Sequence, residues 1–388
     1  MKFRFLPLFL VFFFVCFSGQ GFKEPLGVVI DHLSKSTEKY IGSPAICVLP
    51  DGSYVASHDE FGPRSAEFYS AITHIFVSRD KGKTWQKTAT LDGQFWSNLF
   101  VHQGMLYILG TNKHHGNIVI RKSTDGGLTW TQPYDATHGL IVEGEYHTAP
   151  TPVVVHNGRI WRAVEYATGK SSQWGKRYSA MMISAPVNAD LLKAESWTKS
   201  NSLPYDYTYL DGKFEAWLEG NAVLTPDGHK EDILRIHAPN LPDEYCAVVN
   251  ISKDGKKASF DSKDFYRMPG ASKKFTIRFD PVTQKYLSLV NTIETGYEGK
   301  TSTDRIRNAV SLISSTDLRN WKIEQRLLFH EDYRLHAFQY IDWQFDGKDI
   351  VFVSRTASED NNGDAHSAHD ANYMTFHRAE DFRTLISH

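Results

Sequence analysis

The chain has 388 residues, with 43 Lys and Arg against 45 Asp and Glu for a formal net charge of −2. It has no basic excess to hold nucleic acid or an anionic membrane surface. The length is ample for one large core or two ordinary ones, and the 13% aromatic content suits a β-rich fold or a sugar-stacking surface without deciding between them.

Met1-Lys2-Phe3-Arg4 precedes an apolar run over residues 5–17 and then Ser18-Gly19-Gln20-Gly21. That order reads as a secretory signal peptide over residues 1–21, so the remainder is expected to be secreted or periplasmic. The run is short for a bilayer, and no membrane span is expected. Cys47 and Cys246 each sit in an apolar stretch and read as buried thiols, with a disulfide between them left open.

Residues 26–31 read as a first strand, placed to complete the last unit of a closed ring. Residues 44–49 and 53–58 flank Pro50-Asp51-Gly52, a hairpin signal, and 72–77 follow as a third strand. The stretch Ser78-Arg79-Asp80-Lys81-Gly82-Lys83-Thr84-Trp85 ends this unit. The same grammar recurs at 95–101, 106–110 and 117–122, ending in Ser123-Thr124-Asp125-Gly126-Gly127-Leu128-Thr129-Trp130. Both stretches fit S-x-D-x-G-x-T-W, and they lie 45 residues apart. In such a turn the Asp accepts from backbone N–H groups, Gly takes the positive φ, and Trp packs beneath the loop. Further units open at residues 149, 216, 275 and 339, with turns at Asn157-Gly158, Asp227-Gly228 and Asp346-Gly347. With residues 31–58 counted as a unit of their own, a repeat of this length gives seven, with six as the alternative.

The repeated turn is the Asp box, and it resembles the repeats of sialidase-like β-propellers. The fold expectation is therefore all-β: a single seven-bladed β-propeller over residues 22–388, or a six-bladed sialidase-type one. A sialidase itself is disfavoured. The stretch 40–63 has no Arg-Ile-Pro motif to supply one of that family's three carboxylate-binding arginines, and no Tyr/Glu nucleophile pair stands out in the sequence.

Longer phrases carry a second resemblance. They include residues 40–44, Ser57-His58-Asp59, Tyr146-His147-Thr148-Ala149-Pro150, Glu219-Gly220-Asn221, residues 273–281 and residues 336–343. These look like seven-bladed propellers acting on rhamnose–uronate linkages: α-L-rhamnosidases that release rhamnose capping glucuronate, and ulvan and rhamnose–glucuronate lyases. The hydrolase branch implies one catalytic histidine, at His58, able to move a proton near neutral pH. The lyase branch implies His147, with His115 and Tyr245 as further acid or base groups. Arg162, Lys274 and Arg278 are then the available cations for a uronate carboxylate, and Glu219 and His336 complete the substrate-binding set. Asp59 with Glu219 is a further candidate, as an acid/base carboxylate pair.

His366, His369 and Asp370 have a spacing that can bind metal, but no metal and no cofactor is expected. The preferred reading is an exo-acting, monomeric glycoside hydrolase that releases terminal α-L-rhamnose from glucuronate in an oligo- or polysaccharide. The alternatives are a lyase and a non-catalytic glycan-binding propeller.

Overall fold

The computed structural model describes residues 24–169 and 171–387; the signal segment read at residues 1–21 lies outside them. Strands follow one another from Val28–His32 to Tyr373–Ala379, and the helical elements among the described residues are short 3-10 turns. None of these is long and apolar enough to cross a membrane. Hydrogen bonding builds five antiparallel sheets, the largest with eight strands. That sheet is two meanders, Phe95–His102 through Leu140–His147 and Val154–His156 through Thr198–Lys199, joined by the pairs Tyr146–Tyr166 and His147–Glu165. The result is six blades of four strands, two of them with a fifth short strand.

Both faces of each blade are buried. Successive strand residues point to opposite faces, so in Tyr54–Phe61 the side chains of Tyr54 and Ala56 pack toward the sixth blade, while Val55 packs toward the second. Six apolar layers of this kind run round the ring, one between each pair of neighbouring blades. Val28–His32 pairs with Tyr373–Ala379 and becomes the outer strand of the sixth blade, so the first and last parts of the described chain close the ring.

The closing strand is as expected, but the expectation of seven blades is overturned by the sheet order. Residues 31–58 do not form a unit of their own. Their start belongs to the sixth blade, and Ala45–Val48 and Tyr54–Phe61 are the first two strands of the first. Cys47 and Cys246 are free and buried in separate blades, and burial pushes both thiols up to about 12.

The two S-x-D-x-G-x-T-W turns connect third and fourth strands. Asp80 accepts from Thr84 N at 2.9 Å and Thr84 Oγ1 at 2.6 Å, and Asp125 accepts from Thr129 at the same two distances. Gly82 has φ +86°, and a Cβ there would stand 2.2 Å from the Phe376 ring, so the first turn tolerates only glycine.

The inner strands of the second, fourth and sixth blades share one irregularity. Pairing slips between Phe95 and Asn98, between Leu218 and Asn221, and between Gln339 and Asp342. Each bulge holds a non-glycine residue at positive φ: Trp96 at 49°, Glu219 at 54° and Tyr340 at 54°. Two residues later an Asn or Asp latches the strand to the next blade. Asn98 Oδ1 accepts from Arg162 Nε at 2.9 Å, Asn221 Oδ1 from Ile277 N at 3.0 Å, and Asp342 Oδ2 from Ile46 N at 2.9 Å. A left-handed non-glycine residue costs roughly 1–2 kcal/mol, so three in equivalent places are a built feature.

Arg162 is one end of such a latch. It is fully buried, and its guanidinium donates to Asn98, Thr148, Thr151 and the carbonyls of Ala149 and Ala163. Its assignment to substrate binding is therefore corrected: every nitrogen is committed to a buried partner, and Nε joins the third blade to the second. Arg162→Ala is expected to lower the unfolding free energy by about 3–5 kcal/mol in urea titrations, because several buried acceptors lose their donor.

Candidate active site

The three bulges aim Trp96, Glu219 and Tyr340 into one cavity of about 250 Å³, which Asp59, His147 and Arg355 also line. A larger cleft of about 680 Å³ shares Trp174, Tyr340 and His369 with it and brings in Arg235 and Arg307. The two form one depression where the inner strands begin.

Its electrostatics are set by arginines from three blades. Arg235, in Lys230–His237, donates through Nη1 to both oxygens of Glu219 at 3.0 Å, and both residues are buried. Burial alone would raise the Glu219 carboxyl, but the charges of Arg235 and His147 outweigh it and hold the group below its ordinary value. Arg307 and Arg355 have no carboxylate partner among the described residues. Instead both donate to Gln339 Oε1, the amide of the residue before Tyr340. Arg355 lies 4.0 Å over the Tyr340 ring, and Arg307 lies 5.7 Å from it. Arg355 Nε is buried with no hydrogen-bond partner among the described residues. Burial, with Arg307 close by, pulls the Arg355 guanidinium down to about 10. Asp304 and Asp370 line the same cleft, but neither forms an ion pair with Arg307 or Arg355, and two buried cations beside a tyrosine form a site able to take an anion.

Across the cavity, Asp59 is buried, and its Oδ1 accepts from Ser43 N at 3.2 Å. Its Oδ2 has no partner among the described residues, and burial raises the carboxyl to about 7. A carboxyl that keeps its proton near neutral pH is equipped to give it to a leaving group. Gly42 leaves room for it, since a Cβ there would stand 2.6 Å from Asp59 Oδ2.

The sequence-derived residues divide accordingly. Glu219 and His147 are in the cavity. His147 Nδ1 is bonded to Glu165 at 2.7 Å, and its ring packs on Trp96 at 4.5 Å and Tyr178 at 4.6 Å. His115 is in the wall behind them, bonded to Tyr178 Oη at 2.7 Å. Burial and the neighbouring histidines and Arg177 push it down to about 2, so it is neutral.

His58 is not brought to the cavity. Strand alternation turns it away from Asp59, into a buried network with Asp31 Oδ2 at 2.8 Å and the Asp59 carbonyl at 3.0 Å. Lys274 is buried against Thr276 Oγ1 and the Ile341 carbonyl, and burial lowers it to about 8. Arg278 lines separate cavities farther along the inner strands, with Pro152 and Phe345. Tyr245 accepts from Arg267 at 3.2 Å, and His336 stacks on His330 at 3.7 Å; neither lines the depression. His366, His369 and Asp370 form no group able to hold a metal among the described residues.

Sequence reasoning missed Tyr340, Arg235, Arg307 and Arg355. Tyr340 and Glu219 line one cavity despite their separation in the chain. The signal that could have found it is the recurring bulge, Trp96-Ser97-Asn98, Glu219-Gly220-Asn221 and Tyr340-Ile341-Asp342. The absence of an arginine around residues 40–63 is real, but Arg355 enters from the sixth blade.

No protein-family profile and no curated protein sequence matches the chain. Solved structures do. An α-L-arabinofuranosidase from Fusarium graminearum, in complex with an iminosugar inhibitor, superposes with a TM-score of 0.59 at 12% identity over 93% of this chain and 99% of that one. A Hadza microbial sialidase gives 0.59 at 12% identity, over 93% and 69%. A leech intramolecular trans-sialidase complexed with 2,7-anhydro-Neu5Ac gives 0.55 at 10% identity, over 92% and 71%. At these identities the likeness is one of fold, and the fold is that of a sialidase-like β-propeller.

Asp59 supplies a stability prediction. Its folded pKa of about 7 lies above the unfolded value near 3.9, so between these the native state binds the extra proton and stability falls as pH rises. Asp59→Asn removes that cost. Thermal melts are expected to show the variant gaining on the parent from pH 4 to pH 8, with the two closest at the acid end.

Proposed function

We propose that this chain is a glycoside hydrolase that releases a terminal sugar bearing a carboxylate. Tyr340 is the nucleophile, Glu219 its base and Asp59 the acid. The single observation that carries the reading is the convergence of Tyr340 and Glu219 with Arg307 and Arg355, two buried guanidiniums without a carboxylate.

Each group has a definite task. Arg235, Arg307 and Arg355 hold the carboxylate, and the two without a partner supply the charge. The Tyr340 oxygen bonds to the anomeric carbon as Glu219 takes its proton. The glycosidic bond breaks, and Asp59 protonates the departing oxygen. Water then attacks the glycosyl–tyrosine bond, Asp59 takes the water's proton, and Glu219 returns its proton to the tyrosine. Two displacements retain the anomeric configuration, and tyrosine is a known replacement for the usual carboxylate nucleophile. The choice has a physical reason: a neutral phenol approaches a centre beside a carboxylate without the repulsion a second carboxylate would meet.

The fold neighbours include proteins described as an arabinofuranosidase, an arabinanase and sialidases, which supports a carbohydrate-active enzyme. On this reading a linkage between uronate and rhamnose is cleaved with the uronate as the terminal, released sugar, and release of rhamnose capping glucuronate is not proposed. The segment at residues 1–21 fits an exported enzyme working on extracellular glycans.

The test is turnover of aryl glycosides of sugar acids against aryl rhamnosides and arabinofuranosides. Acidic substrates are expected to lead by roughly 100-fold in kcat/KM, as expected where charged groups would otherwise face no partner. Tyr340→Phe should lose about 10³-fold or more in kcat. Equal turnover of neutral glycosides, or a Tyr340→Phe protein with a tenth of the parent activity, would contradict the assignment. The kcat/KM profile should fall as pH rises through about 7, where Asp59 gives up its proton, and this limb should vanish with substrates whose leaving group needs no protonation.

A further inference from the structure

The larger cleft extends outward from Arg235 and Arg307 onto two loops of the fifth blade. One lies between Lys285–Val290 and Ala309–Ser315; the other follows Lys322–Phe329. These loops brace one another. Tyr297 Oη donates to the Glu331 carbonyl at 2.7 Å, and the Tyr297 and Tyr333 rings meet edge to face at 6.0 Å.

Three exposed cations line this outer part: Lys300, Arg305 and Arg334. None makes an ion pair with a carboxylate among the described residues. Lys300 Nζ lies 4.3 Å over the Tyr297 ring and 5.8 Å from that of Tyr333, while Arg334 lies 5.6 Å from Tyr333. Asp304 and Asp370 line the same cleft nearer Arg307 and His369, so the three cations stand at its outer part without an ion pair among the described residues. The whole cleft of about 680 Å³ offers far more room than the inner cavity of about 250 Å³.

We propose that Lys300, Arg305 and Arg334 form an outer subsite for a second anionic group of the substrate, carried by the sugar next to the one released. The natural substrate is then an acidic oligo- or polysaccharide whose penultimate sugar bears a carboxylate or a sulfate ester. Lys300 and Arg334 converge on one aromatic patch and Arg305 lines the same cleft, so one anion in the cleft is approached by all three, with Tyr333 offering its ring to the sugar face. The proposal rests on the reading of the inner cavity given above. It adds that charge beyond the scissile bond is recognised.

The experiment uses the Tyr340→Phe protein, which should bind without turning over. Calorimetry compares three disaccharides with the same terminal sugar acid, in which the second sugar is neutral, uronic or sulfated. The free terminal sugar acid serves as reference. The second anion is expected to tighten binding by roughly 5–20-fold at low salt, with the gain shrinking toward parity in about 0.5 M salt, as exposed charges require. The uronic and sulfated arms tell which anion the subsite takes. Adding Lys300→Ala, Arg305→Ala and Arg334→Ala should abolish the gain. The proposal is overturned if the charged and neutral disaccharides bind alike, or if the gain survives in the variant. In either case the reference sugar acid still binds. Loss of binding by every acidic sugar, the reference included, would instead sink the reading of the inner cavity, and this inference with it.

Discussion

Gln339 is the contact on which the site depends. Its buried amide oxygen accepts from both Arg307 and Arg355, and its nitrogen donates to the carbonyls of Ala368 and His369. One neutral group thus gathers two cations that repel each other, next to the bulge that raises Tyr340 into the cavity. The repulsion and the desolvation are borne by the fold, in a ring of blades large enough to bear them. Under the proposed function an incoming carboxylate recovers part of that cost, which is how a rigid scaffold would turn stored electrostatic energy into binding.

The ring geometry explains why such a site forms here. Alternate inner strands bulge at the same level, and each bulge is followed by an Asn or Asp latch to the next blade. The latches hold the backbone where the bulged residues must adopt positive φ. Three side chains of different chemistry, an indole, a carboxylate and a phenol, are then presented to one space. The arginines come from the second strand of the fourth and sixth blades and from the loop entering the third strand of the fifth.

Much of the fold was legible in the sequence because its signals are local. Asp-Gly turns, period-two strands and the two Ser-Asp-Gly-Thr-Trp turns each depend on a few neighbouring residues. The blade number was not: the closing strand near residues 26–31 was anticipated, but residues 31–58 were counted as a further unit, and their hydrogen bonds divide them between the sixth blade and the first. At the site, Asp59, Glu219 and His147 were singled out by the sequence, and all three line the inner cavity. His58 was misplaced, because adjacent strand residues face opposite ways and sequence alone does not say which of His58 and Asp59 looks inward. Tyr340 and the arginines were hidden because they meet only across the ring.

The central claim is that Tyr340 forms a bond with the sugar. It is tested most directly by treating the protein with a fluorinated sugar-acid glycosyl fluoride, which slows release of the intermediate, and mapping the adduct by peptide mass spectrometry. The account predicts a single adduct on Tyr340, absent from Tyr340→Phe. An adduct on Asp59 or Glu219, or turnover of the reagent with no tyrosine adduct at any time, would contradict it.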